Sequence, residues 1–92
     1  MHFRGPEVKE LVASFVPPVK LTVERDEFNQ YDPNAIKVFY GDVHIGFINR
    51  EDASFIAPYL DEGMTFNVEV ESMVEAKNNL YPVAKLTPRS GE

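Results

Sequence analysis

Asp32 stands beside an aromatic ring, Tyr31, in the polar stretch 25–34, and Phe47 and Arg50 follow at the end of the next apolar segment. An exposed carboxylate next to a flat ring can accept a hydrogen bond from a sugar hydroxyl while the ring stacks on a base. Such stacking is worth about 1–3 kcal/mol per base and tolerates any base. Inside a nucleic-acid chain the 3′ oxygen is esterified and has no proton to donate, so one carboxylate separates an end from a middle. A terminal phosphate is also repelled by it. The same residues admit a plainer reading, because Asp32-Pro33-Asn34 has the composition of a β-turn whose carboxylate accepts backbone N–H groups. Tyr31 and Phe28 can equally be loop anchors packed on the core. Phe47, between Ile45 and Ile48, has the neighbours of a core residue, although Gly46 before it marks a bulge or close backbone approach.

Arg50 falls near the start of a helical segment, where a guanidinium and free backbone amides together suit a phosphate. Arg25 and Lys37 flank the polar loop and fit either phosphate contacts or surface ion pairs with Glu24 or Asp26. Other chemistry is poorly provided for. His2 and His44 are far apart and lack partners at ligand spacing, so neither a metal nor a cofactor is expected. Ser14, Ser54, Ser72 and Ser90 sit in no Gly-x-Ser-x-Gly elbow, no phosphate loop is present, and the carboxylates do not pair as acid and base. The expectation is a protein without catalytic residues.

Charge restricts the partners further. Nine Lys and Arg against fifteen Asp and Glu give −6, a field that repels nucleic acid, so any such contact must be local. Arg4, Lys20, Arg25, Lys37 and Arg50 lie in the first 50 residues, and Glu51, Asp52, Asp61, Glu62, Glu69, Glu71 and Glu75 come after them. That asymmetry permits one basic mouth on an acidic body. The absence of cysteine removes disulfides and thiol chemistry and fits a reducing interior. The first six residues lack the apolar run of a secretory signal, and no segment approaches the length of a membrane span. A cytoplasmic protein that avoids membranes is expected.

The elements that must position these residues follow from periodicity. With 92 residues, 43% of them hydrophobic, the chain can fill the core of one domain, spanning 1–92 with a polar tail over 86–92. Residues 2–5 read as a short strand. Val8, Leu11, Val12 and Phe15 then recur at i, i+3, i+4 and i+7, predicting a helix over 7–14. Val19, Leu21 and Val23 alternate with polar residues, as do Ile36, Val38 and Tyr40, and Gly41-Asp42 forms a two-residue hairpin turn into Val43–Ile48. Asn49 is a helix N-cap, Ala53, Ile56, Ala57 and Leu60 form an apolar stripe, Pro58 distorts the last turn, and Gly63 ends the helix. Phe66, Val68 and Val70 begin a long strand, Lys77-Asn78-Asn79 supplies a turn, and Tyr81–Leu86 returns. The predicted fold is mainly β: a small, closed or nearly closed OB-like or SH3-like barrel of six strands with two short helices.

One stretch is more specific than composition. Asn29-x-Tyr31-Asp32-x-Asn34-Ala35-Ile36-x-Val38, followed by Ile45-Gly46-Phe47-Ile48-x-Arg50, resembles the signature of the HIRAN domain, and the resemblance runs from about residue 2 to residue 86. It implies a small β-barrel module that captures the free 3′ end of single-stranded DNA, working alone on repair or replication intermediates, with a DNA-processing protein as a second partner. By the resemblance, Asp32 receives the 3′ hydroxyl, Tyr31 and Asn29 line the nucleotide pocket, Phe47 replaces a ring that is often His, and Arg50 matches a basic residue. Two departures count against strong binding. The family's Arg followed by two aromatics is here Arg4-Gly5-Pro6-Glu7, where only Arg4 offers a phosphate contact, and a later family aromatic falls near Glu75. A protein-interaction module of the same fold, presenting an acidic face to a basic partner, is the other expectation.

Overall fold

The computed structural model describes residues 2–3 and 5–89, arranged as β1 (His2–Phe3), α1 (Pro6–Ala13), β2 (Val19–Arg25), β3 (Ile36–Tyr40), β4 (Val43–Phe47), α2 (Arg50–Asp61), β5 (Phe66–Ala76) and β6 (Asn79–Pro88). Pro6 opens α1, where its missing N–H is harmless because first-turn amides have no intrahelical partner. Val12 and Phe15 are buried, and Val8 and Leu11 lie half-buried against them. The helix stripe read from the sequence is therefore the face that packs.

All strand pairings are antiparallel, in the order β1-β4-β3-β2-β5-β6. β2 serves two neighbours: Val19, Lys20 and Leu21 pair with β5, whereas Thr22 to Arg25 pair with β3. Register shifts at Val38/Phe39 and Val70/Ser72 add bends, as an extra residue in one strand does. The sheet thus curls around Leu21, Ile36, Val38, Ile45, Val68 and Val70, and Val12 of α1 with Ala53 and Ala57 of α2 completes the core. Each of the larger aliphatic chains gains about 1.5–3 kcal/mol from full burial.

A closed or nearly closed barrel of six strands was expected, and the sheet is not closed. Among the described residues, β1 and β6 end the sheet and do not pair with each other. β1 has only two residues, too few for a closing ladder, so the full strands number five. α1, which leaves β1 almost at once, packs against β6. The polar tail also begins later than expected: β6 continues through Thr87 and Pro88, which pair with Asn67 and Phe66, and Arg89 N–H donates to the Thr65 carbonyl at 2.9 Å. Residues 90–92 lie outside the described residues.

The turns that aim the strands follow their residue types. Gly41 has φ 59, the positive value demanded of the first residue in a two-residue turn between Tyr40 and Val43. Lys77 and Asn78 both have positive φ, 52 and 65, and close β5 onto β6. Asn49 caps α2 by accepting from the Asp52 N–H at 2.9 Å. α2 runs through Pro58 to Asp61, then stops at Gly63 (φ 95), where Gly63 N–H reaches the Leu60 carbonyl and Met64 N–H reaches that of Tyr59, both at 3.0 Å. No described helix is long and apolar enough to cross a membrane.

Candidate functional site

The loop between β2 and β3 is wired by its own polar side chains. Asn29 Oδ1 accepts the backbone N–H groups of Tyr31 at 2.8 Å and Asp32 at 2.9 Å, while Asn29 Nδ2 donates to Asp26 Oδ2 at 3.0 Å. Asp32 Oδ1 accepts the Asn34 N–H at 2.9 Å, and the Asp32 carbonyl accepts the Ala35 N–H at 3.0 Å. This is the turn that Asp32-Pro33-Asn34 predicts. It occupies one carboxylate oxygen; Oδ2 has no hydrogen-bond partner among the described residues. The turn and the ligand-acceptor readings of Asp32 are therefore compatible, one per oxygen.

Beside that carboxylate is a shallow cavity of about 270 Å³, lined by Asn29, Tyr31, Asp32, Ala35, Phe47, Ile48 and Arg50. The hairpin β3–β4 and the start of α2 bring its far wall to the loop, since Ile48 N–H bonds the Ile36 carbonyl at 3.0 Å. Tyr31 is 86% exposed and Phe28 88%, so neither anchors the loop on the core, and the Tyr31 ring is accessible to a planar ligand. Phe47 is half-buried and forms cavity wall, with the His44 ring edge-on to it at 5.0 Å. His44 in turn hydrogen-bonds the Gly46 carbonyl through Nε2 at 2.9 Å and lies 5.2 Å from the Phe39 ring. Arg50, the first residue of α2, is exposed and makes no hydrogen bond or ion pair with another described residue. A cation and a half-free carboxylate thus face one small space between two rings.

Arg25 is placed differently. Its Nε donates to Asp61 Oδ1 at 2.9 Å, Nη1 to the Ala35 carbonyl at 2.9 Å, and Nη2 to the Pro33 carbonyl at 3.0 Å, with a longer 3.4 Å approach to Asp61 Oδ2. The guanidinium lies beneath the loop and outside the cavity lining, and its ion-pair partner is Asp61, neither Glu24 nor Asp26. The sequence showed Asp61 only as part of an acidic stretch, not as the partner of Arg25; the two residues are 36 positions apart and no spacing rule joins them. Ala35 and Ile48 as cavity floor were also missed, although both are apolar residues within the signature. Arg4 lies outside the described residues.

A larger groove of about 550 Å³ runs over β2, β5 and β6. There Glu69 is flanked across the strands by Lys20 and Lys85, and Glu71 and Arg89 sit nearby, so its charges nearly balance. Its one ring, Phe66, is half-buried, unlike the exposed Tyr31 of the smaller cavity. Among the described residues no three metal-ligating side chains gather anywhere.

The HIRAN domain family model matches residues 4–87, a span that contains the loop, the hairpin and both helices. The chain belongs to the HIRAN domain family. No curated protein matches it. Its fold is similar to the crystal structure of a protein from Lactobacillus plantarum, with 22% identity over 89% of this chain and 84% of that one, and a TM-score of 0.69. At that identity the likeness concerns the fold alone. Membership supports a nucleic-acid-binding module. Asn29, Tyr31, Asp32, Phe47 and Arg50, singled out in the sequence, line one cavity with Ala35 and Ile48.

Proposed function

We propose that this HIRAN domain is a non-catalytic reader of single-stranded DNA that selects a free 3′-hydroxyl end. The observation that carries the reading is Asp32 Oδ2, without a hydrogen-bond partner among the described residues, beside the exposed Tyr31 ring, with Arg50 on the same cavity. Asp32 accepts the terminal hydroxyl, Tyr31 stacks on the last base against the Phe47 wall, and Arg50 meets a phosphate. Asn29 holds the loop in shape. The module works in the cytoplasm on repair or replication intermediates, alongside a DNA-processing protein.

Direct binding tests this. An oligonucleotide ending in a 3′ hydroxyl is expected to bind more tightly than its 3′-phosphorylated twin, and equal binding refutes end recognition. Arg50→Ala is expected to weaken both oligonucleotides by the same factor and to reduce the slope of log affinity against log salt by about one, the signature of one lost phosphate contact. Titrations at several salt concentrations read it.

The second reading, a protein-interaction module, is favoured by the outer face of α2. Phe55 (73% exposed) and Tyr59 stand there with rings 6.4 Å apart, on a helix that also carries Glu51, Asp52 and Asp61. It predicts no oligonucleotide binding and capture of a basic protein partner through that face.

A further inference from the structure

We propose that Arg25 and Asp61 form a positioning pair that sets the angle of Asp32 into the cavity, so that preference for a hydroxyl end depends on a salt bridge outside the binding site. The inference rests on the end-reading function proposed above. Its geometry does not.

Arg25 ends β2, whose last pairing is with Ile36 at the start of β3, so the loop 26–35 leaves and re-enters the sheet at neighbouring points. Between them the loop's internal bonds, through Asn29 and Asp32, join residues at most three apart. Such bonds define a local shape but cannot orient that shape relative to Phe47 and Arg50. Two ties act near its return. One is backbone and closes the neck of the loop: Asp26 N–H to the Ala35 carbonyl at 2.9 Å. The other is the Arg25 fork, which holds the Pro33 and Ala35 carbonyls on either side of Asn34, whose N–H in turn holds Asp32 Oδ1.

A guanidinium fork orients only if it is itself oriented. Arg25 has several rotatable bonds, and Asp61 on the last turn of α2 is the group that holds its Nε edge. The Arg25 side chain is only 16% exposed, which keeps water from taking over those donors; Asp61, at 51%, is reachable and replaceable without opening the core. The other end of the same helix carries Arg50. α2 therefore spans the site, supplying the phosphate-binding cation at its first residue and fixing the acceptor loop at its last. Carboxylate and cation are referenced to one helix.

Asp61→Asn and Arg25→Lys test the pair in the full chain. Asn keeps the shape of Asp61 but loses its charge; Lys keeps the charge of Arg25 but cannot hold Asp61 and two carbonyls in one plane. For each variant, affinity for the 3′-hydroxyl oligonucleotide is expected to fall about five-fold, the scale of coupling between residues in contact. Affinity for the 3′-phosphate twin should hold or rise, and the salt slope should not change. A pure charge effect has the opposite sign, because removing an acidic group strengthens binding to both oligonucleotides. Amide exchange at Asp32, Asn34 and Ala35 should quicken in both variants while that of Val38 and Ile45 stays slow. If the wild-type protein discriminates the two ends and Asp61→Asn discriminates equally well, the positioning role is wrong. If the wild-type protein shows no discrimination, the end-reading function fails and the proposal with it; unchanged loop exchange then also removes the clasp.

Discussion

Asp32→Asn is expected to erase the preference for a 3′-hydroxyl end while leaving the protein folded. Asn retains an Oδ1 that can accept the Asn34 N–H, so the turn survives. What changes is the other position, where an amide donor replaces Oδ2. A hydrogen bond from a hydroxyl to a charged acceptor contributes about 1.5–3 kcal/mol, so affinity for the hydroxyl-ended strand should drop about ten- to a hundred-fold. The 3′-phosphate strand should bind more tightly than it does to the wild-type protein, because a like charge has gone from beside its terminal group. The two effects converge from opposite sides, which makes the ratio of the two affinities the sharpest readout. Fluorescence anisotropy with paired oligonucleotides measures it. A variant that binds both strands as the wild-type protein does removes Asp32 from the site. Asp32→Ala is the poorer probe, since it deletes the turn acceptor along with the charge.

The parts of this site that were legible in the sequence are those built from short-range bonds. Asp32-Pro33-Asn34 encodes its own turn, Gly41 its positive φ, Asn49 its cap, and the alternation through Ile36 and Val38 states which face is buried. Alternation does not state which strand edges meet, and this is why closure was expected and an open sheet was found. Backbone pairing of Thr87 and Pro88 is similarly silent at the level of side chains, because a polar residue on an outer strand looks like tail. The role of Arg25 was hidden for a different reason. A guanidinium bonds carboxylates and carbonyls of any origin, so its partner is settled by where α2 ends in space, and nothing near Arg25 in the chain records that. The family signature recovered the cavity residues together because they are neighbours in the fold, even though Asn29 acts within the loop and Arg50 on a helix.

Ile36→Ala should be among the most damaging single changes to the fold, and it should reach the site. Ile36 is fully buried, contacts the core at the point where the loop rejoins the sheet, and accepts the Ile48 N–H on its carbonyl. Truncating a large buried aliphatic chain costs about 2–5 kcal/mol in lost transfer energy and residual cavity. Domains of this size commonly have only about 5–15 kcal/mol in total. The midpoint of urea unfolding should therefore fall steeply at unchanged slope, since slope reports the surface exposed and midpoint the stability. Val16→Ala is the matched control: Val16 is 80% exposed, and its loss should stay within about 0.5 kcal/mol. The two cavity-floor residues, Ala35 and Ile48, flank Ile36 along the chain and across the hairpin bond. Even under conditions where the variant remains folded, the floor should sag toward the vacated volume and binding of both oligonucleotides should weaken. Loss of stability with intact binding would instead mean that the loop holds its shape through the Arg25 clasp and its internal bonds alone, with the core beneath it contributing only cohesion.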